Sequence, residues 1–134
     1  MVLEHVRRLV LTTALCVTAA PALAQDYMSE GDVGSFHVEL TDLGGLCAVS
    51  LEGGPALVTD LPAPCGFIHR EGEDVPQMFT YDPVITVAFI AGPARSEGCA
   101  DAGQSLKLDG RTFTLGEVKA IPGGFCHSGG FDEV

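Results

Sequence analysis

The chain has 134 residues and a formal net charge of −11, from 7 basic and 18 acidic residues. Such a sparse supply of positive charge argues against nucleic acid and anionic membrane surfaces as partners. The length suits one domain, with a core small enough to benefit from covalent cross-links.

The first 24 residues have the pattern of a secretory signal peptide. Arg7 and Arg8 precede an apolar run over 9–20, and residues 22–24 form the small-x-small site that a signal peptidase cuts. The apolar run is shorter than the ~20 residues that span a bilayer. We therefore predict a periplasmic or secreted protein that begins at Gln25 and does not insert into the membrane after cleavage.

Residues 25–33 are mostly polar and acidic, and we predict an N-terminal arm there. From Gly34 onward, apolar and polar residues alternate, which predicts a strand with one wet face. The segment 46–51 predicts a second strand that points Cys47 inward. The segment 84–91 is short, rich in branched side chains and bounded by Pro and Gly, so it predicts a strand buried on both faces.

The clearest hairpin lies at 105–117, where two alternating runs flank Asp109-Gly110. The stretch 92–104 before it predicts irregular structure with a helical turn near 97–102. Residues 119–134 predict a glycine-rich C-terminal tail. We thus predict one domain over 34–118, an all-β, small antiparallel barrel of about eight short strands or, as the alternative, a small β-sandwich.

Four cysteines follow the predicted cleavage site, an even number that indicates disulfides in an exported chain. Three connectivities are possible. We predict Cys47–Cys65 and Cys99–Cys126, because sequential pairing closes short loops. No C-x-x-C or C-x-x-H spacing supports a zinc site.

Side chains that could act in catalysis or bind a metal show no recognisable arrangement in the sequence. His37 is interpreted as a solvent-facing strand residue beside Glu39, and His69 and His127 as loop residues. No serine lies in a G-x-S-x-G elbow, and the acidic run 71–74 lacks the spacing of a calcium loop. The sequence therefore predicts no enzyme, no metal and no cofactor.

The order of features resembles the alkaline metalloprotease inhibitors, small periplasmic lipocalin-like barrels. The likeness covers residues 33–118. It rests on the following segments: Gly34-x-Phe36-x-Val38, Cys47-x-Val49-x-Leu51, Cys65, the apolar strand and turn within 75–92, and the hairpin Leu108-Asp109-Gly110 with 112–115. In that family the N-terminal arm enters the active-site cleft of the protease.

The resemblance implies a non-enzymatic monomer whose protein partner is a secreted protease. By position, its partner-binding arm comprises five residues: Gln25, Asp26, Tyr27, Met28 and Ser29. Two alternatives stay open. One is a structural or accessory protein of the cell envelope, and the other is a small-molecule or metal binder.

Overall fold

A computed structural model describes residues 27–52, 54–95 and 98–131. These residues form ten β-strands and no α-helix, so the predicted all-β class is confirmed. No helix in the described part of the chain is long and apolar enough to cross a membrane. The predicted signal peptide and the first two residues of the predicted arm, Gln25 and Asp26, lie outside the described residues.

The first four strands form one antiparallel sheet in the order β1-β2-β3-β4. Their bounds are β1 Glu30–Val33, β2 Phe36–Leu43, β3 Leu46–Leu51 and β4 Leu57–Pro62. Buried and exposed residues alternate along β2 and β4, as expected for strands with one face on the core.

The remaining strands form a six-stranded antiparallel sheet in the order β10-β8-β7-β5. Their bounds are β5 Gly66–Phe67, β6 Phe79–Asp82, β7 Ile85–Ala91, β8 Cys99–Asp109, β9 Thr112–Leu115 and β10 Lys119–Cys126. β6 also pairs with β7, and β9 also pairs with β8. β7, which covers 85–91 of the segment predicted as a strand at 84–91, therefore lies inside this sheet, paired along both of its edges.

The two sheets do not close into a barrel, so the barrel prediction is wrong and the sandwich alternative fits. One apolar core lies between them and takes side chains from both sheets: Val33, Val38, Leu40, Cys47, Val49, Leu61, Cys65, Phe67, Ala88, Ile90, Leu106, Leu108 and Phe113. Gln104 ties the sheets together, since its side-chain oxygen accepts from the Asp60 amide and its nitrogen donates to the Gly116 carbonyl.

A second apolar cluster lies on the outer face of the six-stranded sheet. Phe89 contacts Phe79 and Phe131 edge to face, with ring centroids 5.6 and 4.9 Å apart. Phe125 belongs to the same cluster. These rings cover the second face of β7, although Val84, in the turn before it, stays exposed.

Both predicted disulfides are present. Cys47–Cys65 joins β3 to the residue before β5, and Cys99–Cys126 joins the directly opposed ends of β8 and β10. The first bond links the two sheets, and the second fastens the last strand to its neighbour. Two intramolecular disulfides are consistent with an oxidising, extracellular environment.

The structure differs from the sequence prediction in three segments. Residues 30–33, placed in the arm, are strand β1, which pairs with β2. Residues 99–102, predicted as part of a helical turn, begin β8. Much of the predicted tail is β10, and Phe131 beyond it exchanges two hydrogen bonds with the Gln77 side chain, so 119–131 belong to the domain.

The hairpin predicted at 105–117 is confirmed, with its turn one residue further along the chain. Asp109 pairs with Thr112, so Gly110 and Arg111 form the loop. Gly110 has φ of 61°, the left-handed conformation that glycine adopts without steric cost.

Candidate functional site

The segment before β1 is held by both sheets. The Ser29 carbonyl accepts a hydrogen bond from the Leu40 amide in the four-stranded sheet, at 2.7 Å. The Met28 carbonyl accepts from the Phe67 amide in the six-stranded sheet, at 2.9 Å. The Tyr27 hydroxyl accepts from the Ala94 amide at 3.1 Å. Three of the five predicted partner-binding residues are therefore fixed to the domain.

A shallow depression of about 260 Å³ lies beside this segment. Its lining comes from the segment itself, from β2 and from the chain leading to β5: Tyr27, Ser29, Leu40, Thr41, Asp42, Ala63, Pro64 and Cys65. The turn between β2 and β3 stands next to it, and the Ala63 amide donates to the Gly45 carbonyl of that turn. Leu43 and Leu46, the closing pair of the turn, are 53% and 41% exposed.

A histidine with three carboxylates lies on the solvent face of β1 and β2. The β1–β2 register sets Asp32 opposite His37 and Glu30 opposite Glu39. Nδ1 of His37 donates to Oδ1 of Asp32 at 3.1 Å. Nε2 lies 3.6 Å from Oε2 of Glu30 and 3.9 Å from Oε1 of Glu39. We call these four residues the His37 cluster.

The His37 cluster favours the charged imidazole. The hydrogen bond to Asp32, together with the negative charges of Asp32, Glu30 and Glu39, raises the pKa of His37 above its ordinary value of 6.5. Desolvation opposes this shift without cancelling it. The prediction that His37 faces solvent is confirmed, but its three acidic neighbours make it more than an isolated strand residue.

The sequence did hold a signal for this cluster. Glu30 and Asp32 alternate before Gly34-Ser35, and His37 and Glu39 alternate after it. A two-residue turn at Gly34-Ser35 brings these pairs face to face, and Gly34 has the φ of 62° that such a turn favours. The prediction of an arm over 25–33 hid the hairpin.

His127 occupies the opposite kind of environment, and its prediction as a loop residue missed this. It is 4% exposed, with the Tyr27 ring edge-on at a centroid distance of 4.9 Å. Its Nε2 lies 2.8 Å from the Gly92 carbonyl, an acceptor, so Nε2 carries the proton. Nδ1 is buried and finds no hydrogen-bond partner among the described residues.

Burial lowers the pKa of His127 below its ordinary value, because charging the ring there would require desolvating a cation. The Gly92 carbonyl opposes this shift, and His69 adds to it. A Cβ at Gly66 would lie 3.0 Å from Nδ1 of His127. Glycine at position 66 therefore lets the ring pack directly on the backbone.

The four cysteines of the described chain are all in disulfides, so none of them is a free thiol. Three acidic residues of the run 71–74, Glu71, Glu73 and Asp74, are exposed, as predicted for a solvated loop.

Comparison of the chain with protein-family models, with curated protein sequences and with solved structures found no match. Inference about function therefore rests on the residues and on the geometry described above.

Proposed function

We propose that this chain is an exported, non-enzymatic binding domain that engages a protein partner through the N-terminal segment and the adjoining β2–β3 turn. The sequence resemblance indicates a secreted protease as the partner class, and inhibition as the result. We further propose that the processed protein acts as a periplasmic or secreted monomer.

The attachment of Tyr27–Ser29 to both sheets is the observation that carries this proposal. Hydrogen bonds from Leu40 and Phe67 fix the backbone immediately after Asp26. A segment held in one conformation before binding loses little conformational entropy when a partner engages it, and this is how preorganisation improves affinity.

The exposed apolar pair Leu43 and Leu46 supports the same surface. These two neighbouring leucines close the turn that follows Asp42, a lining residue of the depression, and exposed apolar side chains are the kind of contact that protein interfaces bury at their centre. The Cys47–Cys65 disulfide adjoins this surface, because Cys65 is one of the residues that line the depression. We propose that the bond holds the surface in shape outside the cytoplasm.

The test is a pull-down from periplasm and culture fluid with the purified processed protein. Deletion of Gln25 and Asp26 removes the part of the predicted arm that precedes the hydrogen-bonded residues Tyr27–Ser29. A longer deletion would also remove Tyr27–Ser29 and β1 and would disrupt the sheets. A second variant, Leu43→Asp/Leu46→Asp, alters the apolar pair. Ile121→Asp is the matched control, since Ile121 is 55% exposed on β10.

The proposal predicts that a protease is captured and inhibited by the wild type and by Ile121→Asp. Both the deletion and the leucine variant should weaken binding by at least tenfold while leaving the unfolding midpoint unchanged. Equal binding by all four proteins, or a bound fraction without any protease activity that the domain inhibits, would contradict the proposal.

A further inference from the structure

The His37 cluster has the composition and the spacing of a metal-ligand set. One oxygen each from Glu30 and Glu39 and one nitrogen of His37 lie within 4.8 Å of one another. They come from two directly paired strands, so the β1–β2 ladder fixes their separation. Imidazole together with carboxylate suits zinc and similar first-row divalent ions.

The distances are close to those of an occupied site. In a tetrahedral zinc site with bonds of about 2.0–2.1 Å, neighbouring ligand atoms are about 3.3 Å apart. Nε2 of His37 lies 3.6 Å from Oε2 of Glu30 and 3.9 Å from Oε1 of Glu39. The two glutamate oxygens lie within 4.8 Å of each other. All three side chains are exposed, so rotamer changes can bring the three ligand atoms closer together around an ion.

Asp32 would orient the His37 ring without binding the ion itself. Its carboxylate accepts a hydrogen bond from Nδ1–H, so Nε2 carries the free lone pair once the ring is neutral. In histidines that ligate a metal, the second ring nitrogen commonly donates a hydrogen bond to a carboxylate, which fixes the tautomer and the ring orientation. In this cluster the oriented nitrogen is the one that faces both glutamates.

The negative charges of the three carboxylates in the His37 cluster also favour the binding of a cation. Glu30 and Glu39 stand directly opposite each other, an arrangement that is destabilising for like charges. In the described part of the chain, the ion pairs of Glu30, Asp32 and Glu39 all go to His37, and none goes to lysine or arginine. A neutral His37 therefore leaves three uncompensated carboxylates around one point.

A depression of about 240 Å³ opens beside the cluster. It is lined by His37 and Glu39 together with Ser50, Leu51 and Glu52 of β3 and the turn after it. A metal held by three protein atoms keeps at least one position open, and this depression gives water or an external ligand access to that position.

We propose that Glu30, His37 and Glu39 bind one divalent transition-metal ion of the zinc class, with Asp32 as the positioning residue for His37. The site is independent of the proposed partner-binding surface, and either assignment can fail without the other.

The test is isothermal titration of the purified, tag-free processed protein with Zn²⁺ at pH 7.5, with Ca²⁺ as the comparison ion. The variants are His37→Gln, Glu39→Gln and Asp32→Asn. Glu73→Gln, which removes one exposed carboxylate from the loop after β5, is the matched control. Circular dichroism and thermal melting of each variant show whether the fold is intact.

We expect one Zn²⁺ per chain, no comparable Ca²⁺ binding, and unchanged affinity in Glu73→Gln. His37→Gln and Glu39→Gln should each weaken Zn²⁺ binding by at least 100-fold, and Asp32→Asn by about 10–100-fold. Zn²⁺ should also shift the ring resonances of His37 in NMR spectra and leave those of His127 in place.

Absence of saturable Zn²⁺ binding up to about 1 mM, on the order of the weakest affinities of extracellular Ca²⁺ modules, would overturn the proposal. Retention of binding in His37→Gln would also overturn it, since that result would assign the ion to diffuse surface acidity.

Discussion

His37 and His127 show how differently one residue type is used at two places in this fold. His37 lies in solvent on β2 with three carboxylates around it, and its pKa is raised. His127 lies buried after β10 against Tyr27, with Nδ1 lacking a hydrogen bond, and its pKa is lowered. The surroundings of the first ring favour its protonated form, whereas burial favours the neutral form of the second.

The difference teaches that the two regions respond to different changes. The surroundings of His37 are set by the register of an exposed hairpin, so point substitutions there alter charge with little effect on packing. The surroundings of His127 are set by close contact with Gly66, Tyr27 and Gly92. Changes there alter packing and stability first.

The largest effect is expected from removing the bond next to His127. The double variant Cys99→Ala/Cys126→Ala should lose about 2–5 kcal/mol of unfolding free energy, as small exported domains do when a native disulfide is removed. The loosened end should also admit water to His127, so that its pKa moves up toward 6.5 while that of His37 stays in place. Urea unfolding and NMR titration measure the two outcomes. A loss below about 1 kcal/mol, in the range of ordinary surface substitutions, with no change at His127 would contradict the account.

Gly66→Ala tests the packing against His127 directly. The added Cβ would lie 3.0 Å from Nδ1 of His127 and 3.2 Å from the Met28 nitrogen, so the variant should lose about 1–3 kcal/mol. Gly54→Ala is the control, because the nearest atom to its Cβ is 3.6 Å away at Leu51. Equal stability of the two variants by urea unfolding would mean that the contact with His127 is not close.

The dependence of stability on pH should show both histidines with opposite signs. As the pH falls below 6.5, His127 takes up a proton in the unfolded chain before it does so in the folded chain, because its pKa is lowered there. This residue therefore lowers the unfolding free energy as the pH falls. The contribution of His37 is complete below pH 6.5 and is lost as the pH rises through its raised pKa.

Urea unfolding between pH 5 and pH 8 can separate the two contributions. His127→Gln should make the loss of stability toward acid shallower, and His37→Gln should make it steeper, each relative to the wild type. The reverse order of the three slopes would contradict the assigned environments.

Much of this fold could be predicted from residue patterns, because alternation and breakers act locally. The β8–β9 hairpin, β7 and both disulfides follow from such signals. The choice between barrel and sandwich does not, since alternating strands suit both and only the pairing of distant edges separates them. Among the candidate site residues, Tyr27–Ser29 lie where both sheets hold them, but the sequence carried no sign of that attachment.

β1 and β10 were missed because their residues have low strand propensity. β1 is Glu-Gly-Asp-Val, in which Val33 alone is fully buried, and its stability comes from pairing with β2. β10 contains Pro122-Gly123-Gly124, and its pairing with β8 is interrupted there. Pairing with a neighbouring strand, β2 or β8, holds each of them in place. The burial of His127 depends on β10 and was therefore beyond local patterns. The His37 cluster was predictable from the alternation on both sides of Gly34-Ser35, but the prediction of an arm over 25–33 hid it.

The most direct test of the contrast between the two histidines is an NMR pH titration of their ring protons, assigned with His37→Gln and His127→Gln. The account predicts that His37 titrates above pH 6.5 and His127 below it. Titration of both rings near pH 6.5, or His127 above His37, would contradict it.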